Sequence, residues 1–196
     1  TPGSLPDRPT PKSEWTIGSV ALFRPRKGVE VLIQALSNLR QMGEVVRLRA
    51  VGPFETVEYE ETIKEMAARL GVADMIDWIG FAQNVNAEFA KMDVLVLPSL
   101  FGEGMPMVIL EAMAMGVPVV ASDVEGIPEV LQHAHTGLVV PAGDAPQLAS
   151  ALFDLINNKY NWAAMRADAY SLQVKSFSDH SMAAGVARVY NRILAR

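Results

Sequence analysis

Two short, almost unbroken apolar runs, residues 93–97 and 117–121, constrain this chain most. A strand that is apolar at nearly every position is buried on both faces, as in parallel sheets covered by helices on each side. The two runs sit inside a regular alternation. Strand-like segments occupy 16–22, 45–51, 75–79, 93–97, 117–121 and 137–140. Helical periodicity fills the gaps at 28–42, 55–70, 84–91, 106–115 and 126–132. Val31, Leu32, Ala35, Leu36 and Leu39 fall on one face of the first helix, and Ile63, Met66, Ala67 and Leu70 on one face of the second. Gly43, Gly71 and Gly116 stand where helices should stop. Asp144 is placed to N-cap a helix reaching about residue 157, and helices over 160–175 and 178–196 end the chain. The pattern predicts an α/β, Rossmann-like, doubly wound parallel sheet of about six strands with helices on both faces.

The 196 residues suit one domain with a full-size core. The net charge of −5 and the scattered Lys and Arg argue against a nucleic-acid partner. The absence of cysteine excludes a disulfide scaffold and a cysteine-ligated metal, and fits the cytoplasm. No run approaches the ~20 apolar residues of a membrane span. Prolines 2, 6, 9 and 11 deny helix to residues 1–13, which read as a linker, so a domain is expected to start near Glu14.

In open parallel sheets ligands sit beyond the carboxyl ends of the strands. Three loops there are candidates: 23–28, 80–84 and 99–106. The third leaves a buried strand and enters a helix. Pro106 suits the first helical position, which leaves the N–H groups of Met107 and Val108 pointing out of a helix end that attracts phosphate. Gly102 and Gly104 allow close backbone approach. Glu111 follows about 7–8 Å along the helix axis, within reach of a ribose next to that phosphate. Taken alone, Glu103 reads more simply as an electrostatic cap and Glu111 as a solvated residue. The loop 23–28 brings Arg24, Arg26 and Lys27 to the start of a helix, where cations oppose the dipole unless an anion binds. Taken alone it reads equally as a solvated basic turn.

His133, His135 and His180 have no metal-ligand spacing, and Trp15, Trp78 and Trp162 read as core or partly buried surface. Asp77 and Asp93 flank strands and read as turn or edge residues. The first turn, around Gly18, lacks the GxGxxG fingerprint of a nicotinamide dehydrogenase.

The segment Glu103-Gly-Met-Pro-Met-Val-Ile-Leu-Glu111 resembles the Glu-x7-Glu signature of retaining GT-B glycosyltransferases, the glycosyl transferases group 1 family. Lys27-Gly28, Val51-Gly52-Pro53, Ile79-Gly80-Phe81, Pro98-Ser99, Glu125-Gly126-Ile-Pro128-Glu129 and Gly137-Leu-Val-Val-Pro141 stand in the family's order. The resemblance covers about residues 16–158. It implies that the chain is one of two GT-B domains, the half that binds a nucleoside-diphosphate sugar. Lys27 and Glu103 would be catalytic: Lys27 on the leaving diphosphate, Glu103 on hydroxyls of the transferred sugar. Arg24, Arg26, Lys27 and the backbone of Gly104, Met105, Met107 and Val108 would hold the diphosphate. Glu111 would bind the ribose, and Phe81 and Ala82 the base. No metal or other cofactor is expected. Two departures stand out. Leu22 occupies the place of a frequent arginine, so Arg24 or Arg26 would supply that charge, and Pro106 replaces a frequent glycine.

The resemblance further implies a missing N-terminal domain that carries a glycan, lipid-linked or small-molecule acceptor. It divides the chain into a linker (1–13), a donor domain (14–177) and a C-terminal helix (178–196) that packs toward that missing domain. The expected location of the full-length enzyme is the cytoplasm, with peripheral association at the inner face of the membrane. Alone, the chain is expected to bind donor weakly and transfer nothing. Other readings of the same architecture are a GT-B epimerase or phosphorylase and a nucleotide-sugar-binding regulatory or scaffolding module.

Overall fold

The structure, a computed structural model, describes residues 3–9, 11 and 14–195. Six strands form: β1 (Trp15–Val20), β2 (Val46–Val51), β3 (Ile76–Gly80), β4 (Val94–Leu97), β5 (Val119–Ser122) and β6 (Leu138–Val140). The helices are α1 (Val29–Gln41), α2 (Val57–Arg69), α3 (Val85–Phe89), α4 (Met107–Ala114), α5 (Ile127–Val130), α6 (Ala145–Ile156), α7 (Trp162–Leu172) and α8 (Asp179–Leu194). All strand pairs are parallel, in the order β3-β2-β1-β4-β5-β6. The order reverses between β1 and β4, and this switch point is where doubly wound sheets open a crevice.

The continuous apolar runs do what their composition demands. Val94 and Val96 of β4 enter one core with α1, α2 and α6. Leu95 and Leu97 enter the other with Phe89, α4 and α5. Successive strand residues point to opposite faces, so a strand between two helical layers needs an apolar residue at every position. α7 passes between the layers: Trp162 and Met165 join the first core, Ala169 the second. Gly18 faces Met92, whose sulfur lies 2.0 Å from where a Cβ would stand, so close packing of β1 explains this glycine.

Several boundaries differ from the expectation. The helix predicted over 126–132 shrinks to α5, because Leu131 is extended and Gln132 N–H donates to Thr136 Oγ1 at 2.8 Å. The helix predicted over 160–175 begins after Asn161, whose side chain accepts from Ala164 N–H, and loosens into a π-helical turn, Gln173–Phe177. Asp144 caps α6 as expected, accepting from Gln147 N–H at 2.9 Å. Ser178 likewise caps α8, accepting from Ser181 N–H. Trp15 and Trp162 are core, while Trp78 is half-buried against Phe23 and Phe54. Asp77 lies on edge strand β3, paired with Arg47 of β2.

Of the expected linker, residues 1, 2, 10, 12 and 13 lie outside the described residues, as does 196 at the end of the last helix. The rest of the segment is tied to the domain at two points. Arg8 donates to the carbonyls of Met92 and Phe89, each at 2.6 Å. Buried Arg166 donates from Nε to Gly116 O at 2.9 Å, from Nη2 to Pro6 O at 2.5 Å, and lies over the Trp162 ring. Among the described residues no helix is long and apolar enough to cross a membrane.

Candidate functional site

The loops leaving β1 and β4 meet at the switch point because of one glycine. Gly28 adopts a left-handed conformation (φ 65°), and a Cβ there would stand 2.0 Å from the carbonyl oxygen of Pro98. With that contact allowed, Leu100 N–H donates to Arg26 O at 2.8 Å, and the basic loop lies against the loop after β4. An aromatic cluster supports it from behind. Phe23 packs on Phe54 (5.2 Å between centroids) and Trp78 (6.2 Å), and exchanges backbone hydrogen bonds with Pro53 and Glu55.

Lys27 and Glu103 are joined directly, Nζ to Oε1. Glu103 is buried, and its Oε1 also accepts from Ser99 Oγ at 2.6 Å. Arg26 Nη1 stands 3.7 Å from the same oxygen and donates to Gly102 O at 2.9 Å. Arg24 is not brought to this group: its guanidinium turns outward to Glu55 at 3.4 Å. The premise that three cations face a helix N-terminus is corrected here. Pro25–Lys27 form a separate 3-10 turn, and the left-handed Gly28, the N-cap of α1, stands between Lys27 and that helix.

Glu125 is a part of the site to which the sequence reading gave no role. Its carboxylate accepts Gly102 N–H and Glu103 N–H, each at 3.0 Å. These backbone bonds hold the Glu125 carboxyl below the usual carboxylate range. Its φ of 33° is unusual for a residue with a Cβ. Gly126 N–H donates to Glu103 O at 3.0 Å. Ser99 was the other omission. Its burial is not visible in the sequence, although its place directly after a buried strand is a signal.

Pro106 is the N-cap of α4 rather than its first residue, with an extended ψ of 92°. Met107 is therefore the first helical residue, and neither its N–H nor that of Val108 has a partner inside the helix. Gly104 and Met105 lie exposed in front of this tip. One turn further, Glu111 borders a cavity of about 340 Å³ lined by Asn86, Met107, Leu110, Gln173 and Phe177. Partial burial pushes its carboxyl above the usual range. Phe81 and Ala82 border an apolar slot of about 270 Å³ with Leu22, Val51, Pro53 and Val85. Val85 of α3 lines the slot and Asn86, the next residue, lines the Glu111 cavity. The structure thus gathers Arg26, Lys27 and Glu103 around one oxygen, with the α4 tip and Glu111 on one side. Among the described residues no three His, Asp or Glu side chains converge as a metal site would require.

The model of the glycosyl transferases group 1 family matches residues 5–171, most of the chain. The chain belongs to that family. It is 33% identical over 187 residues to the phosphatidyl-myo-inositol mannosyltransferase of Mycobacterium leprae, covering 90% of this chain and 47% of that protein. It is 30% identical over 184 residues to a lipopolysaccharide core biosynthesis mannosyltransferase of Rhizobium meliloti, covering 91% and 52%. This group 1 chain therefore spans about half the length of these relatives. Among solved structures, Anabaena HepE in complex with UDP-glucose superposes with a TM-score of 0.84 at 25% identity, over 91% of this chain and 49% of that one. The C-terminal domain of a group 1 glycosyl transferase from Francisella tularensis superposes at 0.76 and 20% identity, covering 84% and 87%. The expected architecture, a Rossmann-like domain of GT-B type, is the one observed.

Proposed function

We propose that this chain is the donor-binding half of a retaining glycosyltransferase, which moves a sugar from a nucleoside-diphosphate sugar to an acceptor. One observation carries the reading. At the switch point a buried carboxylate stands against two cations in the loop that leads to a free helix tip; a second carboxylate follows one turn into that helix, and Phe81 and Ala82 line an apolar slot after β3. The diphosphate lies on the α4 tip, against the N–H groups of Met107 and Val108 and the exposed backbone of Gly104 and Met105. The ribose meets Glu111 and the base enters the slot at Phe81 and Ala82. The transferred sugar turns toward Glu103.

The Lys27–Glu103 pair gives the site a resting state. Two acids, Glu103 and Glu125, balance Arg26 and Lys27. Donor binding exchanges partners: sugar hydroxyls take the Glu103 carboxylate, and Lys27 turns to the diphosphate. As the bond from the sugar's anomeric carbon to the phosphate oxygen breaks, negative charge grows on the departing nucleotide. Lys27, Arg26 and the helix dipole meet it with fixed positive charge, without a metal. Arg26, rather than Arg24, takes the role of phosphate arginine.

The acceptor belongs to another domain, and the exposed apolar stripe of α8 is the face turned toward it. The mannosyltransferase relative named for phosphatidyl-myo-inositol supports a lipid-linked acceptor. The decisive experiment titrates the folded chain with UDP, UDP-glucose, GDP and GDP-mannose and follows backbone amides by NMR. The expected result is movement at the amides of residues 104, 105, 107, 108, 81 and 82 with one nucleotide pair. No response to any of the four, with the chain folded, overturns the reading.

A further inference from the structure

We infer that Glu125 is a positioning residue for Glu103, a clamp that fixes the sugar-reading carboxylate through its own backbone; this rests on the donor-site reading above. The loop holding Glu103 is gripped by three residues from two neighbouring loops. Arg26, from the loop after β1, takes the carbonyl of Gly102. Glu125, from the loop after β5, takes the N–H groups of Gly102 and Glu103 together. Gly126 N–H takes the carbonyl of Glu103 itself. A carboxylate that accepts two adjacent backbone N–H groups fixes the peptide plane between them, which a single bond does not. That plane carries the Cα of Glu103, so its tilt sets where the Glu103 carboxylate points.

The backbone at Glu125 supports the assignment. A residue with a Cβ is held at φ 33° although a glycine would fit there without strain. Such strain persists where the surroundings over-determine it, and it concentrates at functional sites. Here the over-determining contacts are the two carboxylate bonds and the tight seat of Gly126, where a Cβ would stand 1.7 Å from Gly104 O. The strained residue and its neighbour make their hydrogen bonds to the site through the loop at 102–103.

The test compares the wild-type chain with Glu125→Gly and Glu125→Gln. Glycine removes the clamp while easing the backbone, so the fold is retained. Glutamine keeps the length and one good acceptor, and gives a partial rescue. Two readouts are needed. Hydrogen exchange at the Gly102 and Glu103 amides should accelerate in Glu125→Gly and less so in Glu125→Gln. The sugar increment, the ratio of UDP-glucose to UDP affinity (or GDP-mannose to GDP), should fall about three- to tenfold in Glu125→Gly, as loss of hydrogen bonds to a charged group implies. Affinity for the bare nucleotide should change less than the sugar increment, since the α4 tip and Glu111 are untouched and only Gly104 and Arg26 feel the loss of the clamp. A general loosening of the domain would lower both affinities together and would count against the clamp. Where the wild-type chain binds, unchanged amide exchange or an unchanged sugar increment in Glu125→Gly overturns the role of Glu125 alone. A wild-type chain that binds none of the four ligands overturns the donor-site reading, and this inference with it.

Discussion

Glu111 is held partly out of water, and that burial alone raises its carboxyl above the usual range. A raised folded value means that stability from this group is complete below the unfolded value and is lost as pH rises through the folded one. At neutral pH the ionised side chain therefore opposes folding slightly. Glu111→Gln should leave the free chain as stable or slightly more so in a thermal melt, while weakening nucleotide binding by about 1–3 kcal/mol in calorimetry. A loss of stability without loss of affinity would remove the ribose role. Glu125 runs the other way. Its carboxyl is lowered, so its contribution is present above the unfolded value and is lost as pH falls through the lower folded one. The Gly102 and Glu103 amides should keep their exchange protection below the pH at which an ordinary glutamate protonates. Glu103 and Glu111 were legible because their spacing brackets a helix start. Glu125 was not, because its partners lie 22 and 23 residues away and meet it only through the folded loops.

At the scale of elements, the loop geometry depends on glycines with backbone against them. Gly126→Ala would drive a Cβ into Gly104 O, a backbone atom that moves only with the whole loop. It should cost about 2–4 kcal/mol of stability, the range of a steric backbone defect, and abolish donor binding. Gly104→Ala is the control. Nothing lies within 4 Å of its Cβ position. Its stability should stay within about 0.5 kcal/mol of wild type, so any loss of diphosphate affinity there reports on ligand approach alone. Denaturant melts and titration of the two variants separate the effects. Strands, helices and their faces were legible for a related reason. Period-two and period-3.6 patterns record burial, which topology alone imposes on β4 and α1. The short α5 and the π-turn after α7 were not, because side-chain bonds such as Thr136 to Gln132 N–H end or loosen a helix that periodicity would extend.

For the whole molecule, α8 is the element that does not belong to either core. It has no buried residue, and Met182, Val186, Val189, Tyr190 and Ile193 are each more than half exposed. These are the residues that the sequence places on one face of an amphipathic helix. In a single domain such a stripe would be expected to fold inward; periodicity gives the stripe, and only the family resemblance implies that it faces another domain. Isolated surface apolar residues are ordinary, but a contiguous stripe marks a contact surface. The stripe follows directly on the π-turn that lines the Glu111 cavity. A domain seated on α8 would therefore sit beside the Glu111 cavity. If so, removing residues 179–196 should barely change the thermal midpoint of the isolated chain, because no core contact is lost, and should leave nucleotide affinity intact. The same truncation in a protein that also carries the acceptor domain should abolish sugar transfer with the donor still bound. A truncated isolated chain that unfolds, or a two-domain protein that transfers normally without α8, would show that the stripe serves the domain itself rather than the one it faces.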